Sequence, residues 1–175
     1  WTTTPWTLPS NLALAVGPEL DYAVVEKDGE RLILGEAALE RYAKELGDWS
    51  QVATLKGSEL AGRRYEPLFP YFKDTPKAFV VLSADFVDVA EGTGCVHIAP
   101  GFGEDDLELA QAHGIPLVVP VDEAGNFTAE VPDYQGQNVI EANKDVIRDL
   151  KARGVVVRHE TYLHNYPHCW RTDTP

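Results

Sequence analysis

Tyr22-Ala23-Val24-Val25-Glu26-Lys27, then Asp28-Gly29, then Arg31-Leu32-Ile33-Leu34 stand close together near the start of the chain. Two runs rich in β-branched and aliphatic residues flank an Asp-Gly pair, which tolerates the two left-handed residues of a type I′ turn. The stretch reads as a β-hairpin. On its N-terminal side Leu12 to Val16 adds a strand, so the chain is expected to open as a β-meander. Beyond it, Gln51 to Leu55, Ala78 to Leu82, Phe86 to Val89, Cys95 to Ile98 and Leu117 to Val121 read as further strands, and Val155 to Tyr162 as a returning one. Helical spacing is scarcer. Leu39, Tyr42, Ala43 and Leu46 fall at i, i+3, i+4 and i+7, with Gly47 as a left-handed stop. Glu104 to His113 carries acidic residues in its first turn and ends at Gly114. Lys144 to Arg153 offers Val146, Ile147 and Leu150 as a buried face before Gly154. Gly62 to Phe72, with Pro67 and Pro70 among its aromatics, reads as a packed irregular loop. The expected fold is mainly β with peripheral α-helices, a partly closed β-barrel carrying helices on its outside.

The 175 residues suit a single domain, 1–175, and 44% hydrophobic content excludes disorder as the default state. No run approaches the roughly 18 apolar residues of a membrane span, and no signal-peptide pattern opens the chain, so no membrane partner is expected. Two cysteines, Cys95 and Cys169, cannot build a disulfide framework, and a reducing compartment is the reading. The chain contains no methionine and begins at Trp1, which we read as a piece of a larger protein. With 28 acidic against 15 basic residues, the net charge of −13 opposes long-range attraction of a polyanion. Any RNA contact must be local or delivered by a partner. No glycine fingerprint of a Rossmann or P-loop site occurs.

Three clusters could carry chemistry. In Trp1-Thr2-Thr3-Thr4-Pro5-Trp6-Thr7-Leu8-Pro9, Pro5 favours an extended Thr4, so Thr2, Thr4 and Trp6 are placed on one side. Hydroxyls without a neighbouring base are weak nucleophiles, and positioning a water suits them better. The bland alternative is a threonine-rich strand edge bonded to its own backbone. In Gly92-Thr93-Gly94-Cys95-Val96-His97-Ile98-Ala99-Pro100-Gly101-Phe102-Gly103-Glu104-Asp105-Asp106, His97 points away from the apolar face of Val96 and Ile98. Asp105 and Asp106 fall in a helix's first turn, where the dipole favours the ionised form and a carboxylate can hold an ammonium group. The alternative there is helix capping beside a satisfied histidine. His159, His164, His168 and Cys169 invite a zinc reading, but Pro167 breaks any helix that would align them and no fourth ligand is evident. A rigid exit strand is the preferred reading.

Taken together, Trp1 to Pro9, Tyr65-Glu66-Pro67-Leu68-Phe69-Pro70-Tyr71, Gly92-Thr93-Gly94, His97 to Asp106 and Asn165 to Trp170 resemble the editing domain inserted in the catalytic domain of isoleucyl-tRNA synthetases. These are class I aminoacyl-tRNA synthetases. The threonine segment is shared with the valyl enzymes. The second motif decides, because His97 with Ala99-Pro100-Gly101-Phe102-Gly103 resembles the isoleucyl pattern, whereas valyl enzymes place Lys there and continue Thr-Pro-Ala-His-Asp.

The resemblance implies proofreading, that is, hydrolysis of valine wrongly attached to isoleucine tRNA and of valyl-adenylate. One methylene is worth only about 1–3 kcal/mol in a binding pocket, a limit long recognised for isoleucine against valine, so a second, smaller pocket is needed. It further implies that Asp106 binds the α-ammonium, and that Thr4, with Thr3 and Thr2, holds the ester end and the attacking water. Trp6 and His97 would line the side-chain pocket, with His97 as the steric stop against isoleucine. The implied reaction uses no metal or other cofactor, and a ribose hydroxyl of the terminal adenosine helps to activate the water. The implied partners are the tRNA 3′ end carrying valine, valyl-adenylate and the remainder of a cytoplasmic parent synthetase. His-Ile-Gly-His and Lys-Met-Ser-Lys-Ser signatures are missing, so aminoacylation and its ATP site belong elsewhere in that parent. Competing readings are a non-catalytic module binding the aminoacylated 3′ end, the editing domain of a valyl enzyme and a zinc-stabilised interaction domain.

Overall fold

A computed structural model describes residues 1–161. The hairpin forms as expected: Asp21–Lys27 (β2) runs antiparallel to Glu30–Gly35 (β3), with Val24 opposite Ile33. Asp28 and Gly29 take φ of +52° and +84°, the left-handed pair that the turn requires. Ser50–Lys56 (β4) pairs antiparallel along the other edge of β2, giving the sheet order β3-β2-β4.

Ala13–Val16 (β1) does not join this hairpin, so there is no opening meander. It lies between Val80–Ser83 (β5), to which it is parallel, and Cys95–Ile98 (β6), to which it is antiparallel. A central strand is covered on both faces, and Ala13, Ala15 and Val16 are accordingly buried. Tyr22 ties the two sheets together: its hydroxyl accepts from the Gly17 amide at 2.9 Å and donates to the Gly94 carbonyl at 2.6 Å.

Helices flank the sheets. Glu104–Ala112 (helix A, the second α-helix after the single turn Gly57–Leu60) and Val139–Ala152 (helix B) end at Gly114 and Gly154, with φ of +66° and +70°. Ala110 of helix A packs on Leu12, Ala13 and Ile98 beneath the β5-β1-β6 sheet. Helix B buries Val139, Ala142, Val146 and Leu150 against Phe69, Phe127 and Tyr134, and Trp6 and Leu8 pack on the same cluster. It starts five residues earlier than its periodicity suggests, because the Asn138 side chain accepts from the Ile140 amide at 3.1 Å and caps it there.

Four expected elements take other forms. Residues 39–46 make successive turns after a 3₁₀ segment at Glu36–Ala38, and Gly47 is not left-handed. A helix this short gains little against its nucleation cost, and burial of Tyr42 and Leu46 against Ala23, Val25 and Leu34 orders it instead. Phe86 to Val89 is not a strand, and the Arg41 guanidinium binds the carbonyl at its end, Val89, at 3.1 Å and those of Ala90 and Gly92 beyond it at 2.6 and 2.7 Å. Leu117 to Val121 forms no strand and contributes one bridge among the described residues, Val121 to Phe127; Pro116 and Pro120 lack the amide donors a ladder needs. Residues 155–161 form no strand, and Tyr162 lies outside the described residues. Arg158 fixes that segment by stacking over Tyr42 and donating to the Arg41 carbonyl at 3.1 Å. With those strands missing, the described residues form two three-stranded sheets and no closed barrel. None of their helices is long and apolar enough to cross a membrane.

Candidate functional site

The threonine segment leads into a 3₁₀ turn over Pro5–Ser10 rather than a strand, with Pro5 at the position where a missing amide costs nothing. Thr2 and Thr4 share a side as the sequence suggests. The Thr2 hydroxyl accepts from the Thr4 amide at 3.0 Å, and the two hydroxyl oxygens lie 3.3 Å apart. Trp6, inside the turn, leaves the strand alternation expected of it. The Thr3 hydroxyl has no hydrogen bond among the described residues.

His97 on β6 lies opposite Leu14 of β1, while its neighbours Val96 and Ile98 join the core. Both ring nitrogens are engaged. Tyr65 donates its hydroxyl to Asn11 Oδ1 at 2.5 Å, which orients the amide so that Nδ2 donates to the Ala13 carbonyl at 2.8 Å and to His97 Nδ1 at 2.9 Å. Nδ1 is then an acceptor, so Nε2 carries the proton and donates to Thr7 Oγ1 at 2.8 Å. Thr7 in turn donates its hydroxyl to the Thr4 carbonyl at 2.9 Å. One directional chain of hydrogen bonds therefore runs from Tyr65 to the threonine segment and fixes the neutral tautomer of His97.

Burial lowers the His97 pKa from 6.5 to about 4. Between those values the unfolded chain binds the extra proton, so stability is complete above pH 6.5 and falls as the pH drops towards 4. The slope reaches at most about 1.4 kcal/mol per pH unit. Urea midpoints measured across this range are expected to fall accordingly, and His97→Gln to flatten the dependence.

Asp106, in the first turn of helix A, folds back so that Oδ2 accepts from the Ala99 amide at 2.8 Å. This closes the turn that leaves β6, and Oδ1 has no partner among the described residues. A Cβ on Gly103 would sit 3.0 Å from the Asp106 carboxyl carbon, so the glycine gives that carboxylate its room. Burial raises the pKa, Asp105 adds to the rise, and the Ala99 hydrogen bond opposes it. At the tip of the same turn Phe102 meets Trp6 edge to face, with centroids 4.7 Å apart. The threonine segment and the His97–Asp106 loop are thus joined twice, at Thr7–His97 and at Trp6–Phe102. Trp6 Nε1 is buried without a hydrogen-bond partner in this structure.

Four contributors escaped the sequence reading: Thr7, Asn11, Tyr65 and Asn143, whose Oδ1 accepts from the Trp6 amide at 2.8 Å. Thr7 and Asn11 are polar yet buried, but nothing local reveals their partners. No group of three or more His, Cys, Asp or Glu side chains is arranged to hold a metal among the described residues. His159 Nδ1 lies 3.1 Å from Lys151 Nζ, while His164, His168 and Cys169 fall outside the described residues, as does any Cys95–Cys169 bridge.

No family model matches the sequence. The isoleucine–tRNA ligase of Rickettsia canadensis is 55% identical over 178 residues, covering 100% of this chain and 16% of that protein. The isoleucine–tRNA ligases of Corynebacterium diphtheriae and Mycobacterium tuberculosis are each 53% identical over 184 residues, covering all of this chain and 18% of theirs. Over its whole length the chain is similar to a segment of isoleucine–tRNA ligases. That segment is about one-sixth of the relatives' length. Its fold is that of the synthetase editing domains. The crystal structure of GlLeuRS-CP1 superposes with a TM-score of 0.68 at 18% identity, covering 92% of this chain and 83% of that one. The Plasmodium knowlesi (P. knowlesi) cytosolic leucyl-tRNA synthetase editing domain gives 0.63 at 13% identity, covering 87% and 79%. The chain therefore combines the fold of synthetase editing domains with a threonine segment docked on a neutral histidine.

Proposed function

We propose that this chain is the single editing domain, 1–175, of a cytoplasmic isoleucyl-tRNA synthetase, and that it hydrolyses valine from mischarged isoleucine tRNA and from valyl-adenylate. The observation that carries the reading is the 2.8 Å Thr7–His97 hydrogen bond, which sets the threonine segment beside the loop that holds Asp106. Asp106 Oδ1 receives the substrate α-ammonium. Thr4, with Thr3 and Thr2, holds the ester end and the attacking water, and Trp6 and His97 wall the side-chain pocket.

The water adds to the acyl carbonyl and the acyl C–O bond breaks; in the tRNA ester the adenosine hydroxyl leaves with a proton from the water, and in valyl-adenylate the phosphate of AMP is the leaving group. His97 is not the base, because Asn11 Nδ2 occupies the Nδ1 lone pair and Nε2 already bears its proton. Activation of the water falls to a ribose hydroxyl of the substrate, and no metal or other cofactor takes part. His97 instead fills space, and its fixed ring excludes the extra methylene of isoleucine. The charge of −13 leaves the tRNA body to the rest of the parent enzyme, with only the 3′ end entering here.

Calorimetry with non-hydrolysable valyl- and isoleucyl-adenosine analogues tests this pocket. The valyl analogue is expected to bind at least about tenfold more tightly, the discrimination one methylene allows. Equal affinity, or no binding of either, would remove the reading.

A further inference from the structure

Thr4 occupies the N-cap position of the Pro5–Ser10 turn, where a threonine hydroxyl ordinarily accepts from one of the first free amides. Here it makes no such bond. Pro5 has no amide to satisfy, the Thr7 amide goes to the Thr4 carbonyl at 3.0 Å, and the Trp6 amide goes to Asn143 Oδ1 at 2.8 Å, 137 residues away in the chain. Asn143 sits in the interior of helix B, where asparagine is a poor helix former, so its position is not explained by helix stability. Trp6 and Leu8 pack against Val139, Ala142 and Val146, which brings this helix against the turn.

We infer that Asn143 is a positioning residue: it caps the turn from helix B and thereby keeps the Thr4 hydroxyl out of the cap and beside the Thr2 hydroxyl, 3.3 Å away, where it can hold the attacking water. The inference rests on the editing role proposed for Thr4. Without an acceptor at 143, the Thr4 hydroxyl rotates to cap the Trp6 amide itself. The fold survives and the hydroxyl is withdrawn from the reaction.

Asn143→Leu removes the acceptor at similar volume, whereas Asn143→Asp keeps it. In single-turnover hydrolysis of valyl-tRNA by the whole chain, Asn143→Leu is expected to lower the rate about tenfold, the scale of one lost hydrogen bond, with analogue affinity unchanged. Asn143→Asp should restore the rate. In a Thr4→Val background Asn143→Leu should have no further effect, because there is no hydroxyl left to withdraw. Amide exchange at Trp6, followed by NMR, should stay slow in Asn143→Leu, where the Thr4 hydroxyl takes over as acceptor, and accelerate only when Asn143→Leu is combined with Thr4→Val. A wild-type rate in Asn143→Leu, an equal loss with aspartate or additivity with Thr4→Val would each overturn the inference. A wild-type chain that releases no valine would instead overturn the editing reading on which it rests.

Discussion

Asp106→Asn is expected to cut binding of the valyl-adenosine analogue by about 10- to 150-fold, the range set by losing one charged hydrogen bond worth about 1.5–3 kcal/mol. Asparagine is the informative substitution. Its carbonyl oxygen can still accept from the Ala99 amide, the bond that closes the turn after β6, so the fold is preserved while the negative charge is removed. Asp106→Ala leaves that amide without a partner and adds a structural cost to the loss of binding. Circular dichroism and urea midpoints separate the two effects. Unchanged affinity in Asp106→Asn would mean that the ammonium group is held elsewhere.

His97→Ala is expected to admit isoleucine. If the fixed ring is the wall that excludes the extra methylene, its removal should raise hydrolysis of isoleucyl-tRNA at least about tenfold, towards the rate seen with valine. The substitution also removes one of two partners from Thr7 Oγ1 and from Asn11 Nδ2, which keep only the Thr4 and Ala13 carbonyls. Stability should therefore fall by about 1–3 kcal/mol, the cost of unsatisfied buried groups. A variant that folds and still rejects isoleucyl-tRNA would show that another side chain forms the stop.

The parts of the fold that were legible in the sequence are those built by local chemistry. Asp28-Gly29 names its own turn, Gly114 and Gly154 mark helix ends, and the run from Cys95 to Asp106 reads as strand, turn and helix because each signal lies within a few residues of the next. What failed was decided at a distance. Phe86 to Val89 has strand-like residues but pairs with no strand, and Arg41, distant in sequence, binds the carbonyl at its end and two just beyond it. β1 has the composition of a hairpin partner for β2, yet it pairs with strands far along the chain. The same division runs through the candidate site. Thr2, Thr4, His97 and Asp106 stand out in their own segments, whereas Tyr65, Asn11 and Asn143 acquire a connection to them only through contacts across 54 to 137 residues. The threonine segment also appeared as a strand, since alternation of hydroxyls suggests extension until Pro5 turns the chain into a 3₁₀ segment.

The central claim is that this chain removes valine and spares isoleucine. Single-turnover release of amino acid from valyl- and isoleucyl-charged isoleucine tRNA, with the chain in excess, measures it directly. The account predicts that valine is released at least about tenfold faster than isoleucine. Equal rates for both, or no release of valine above the rate in buffer, would contradict it.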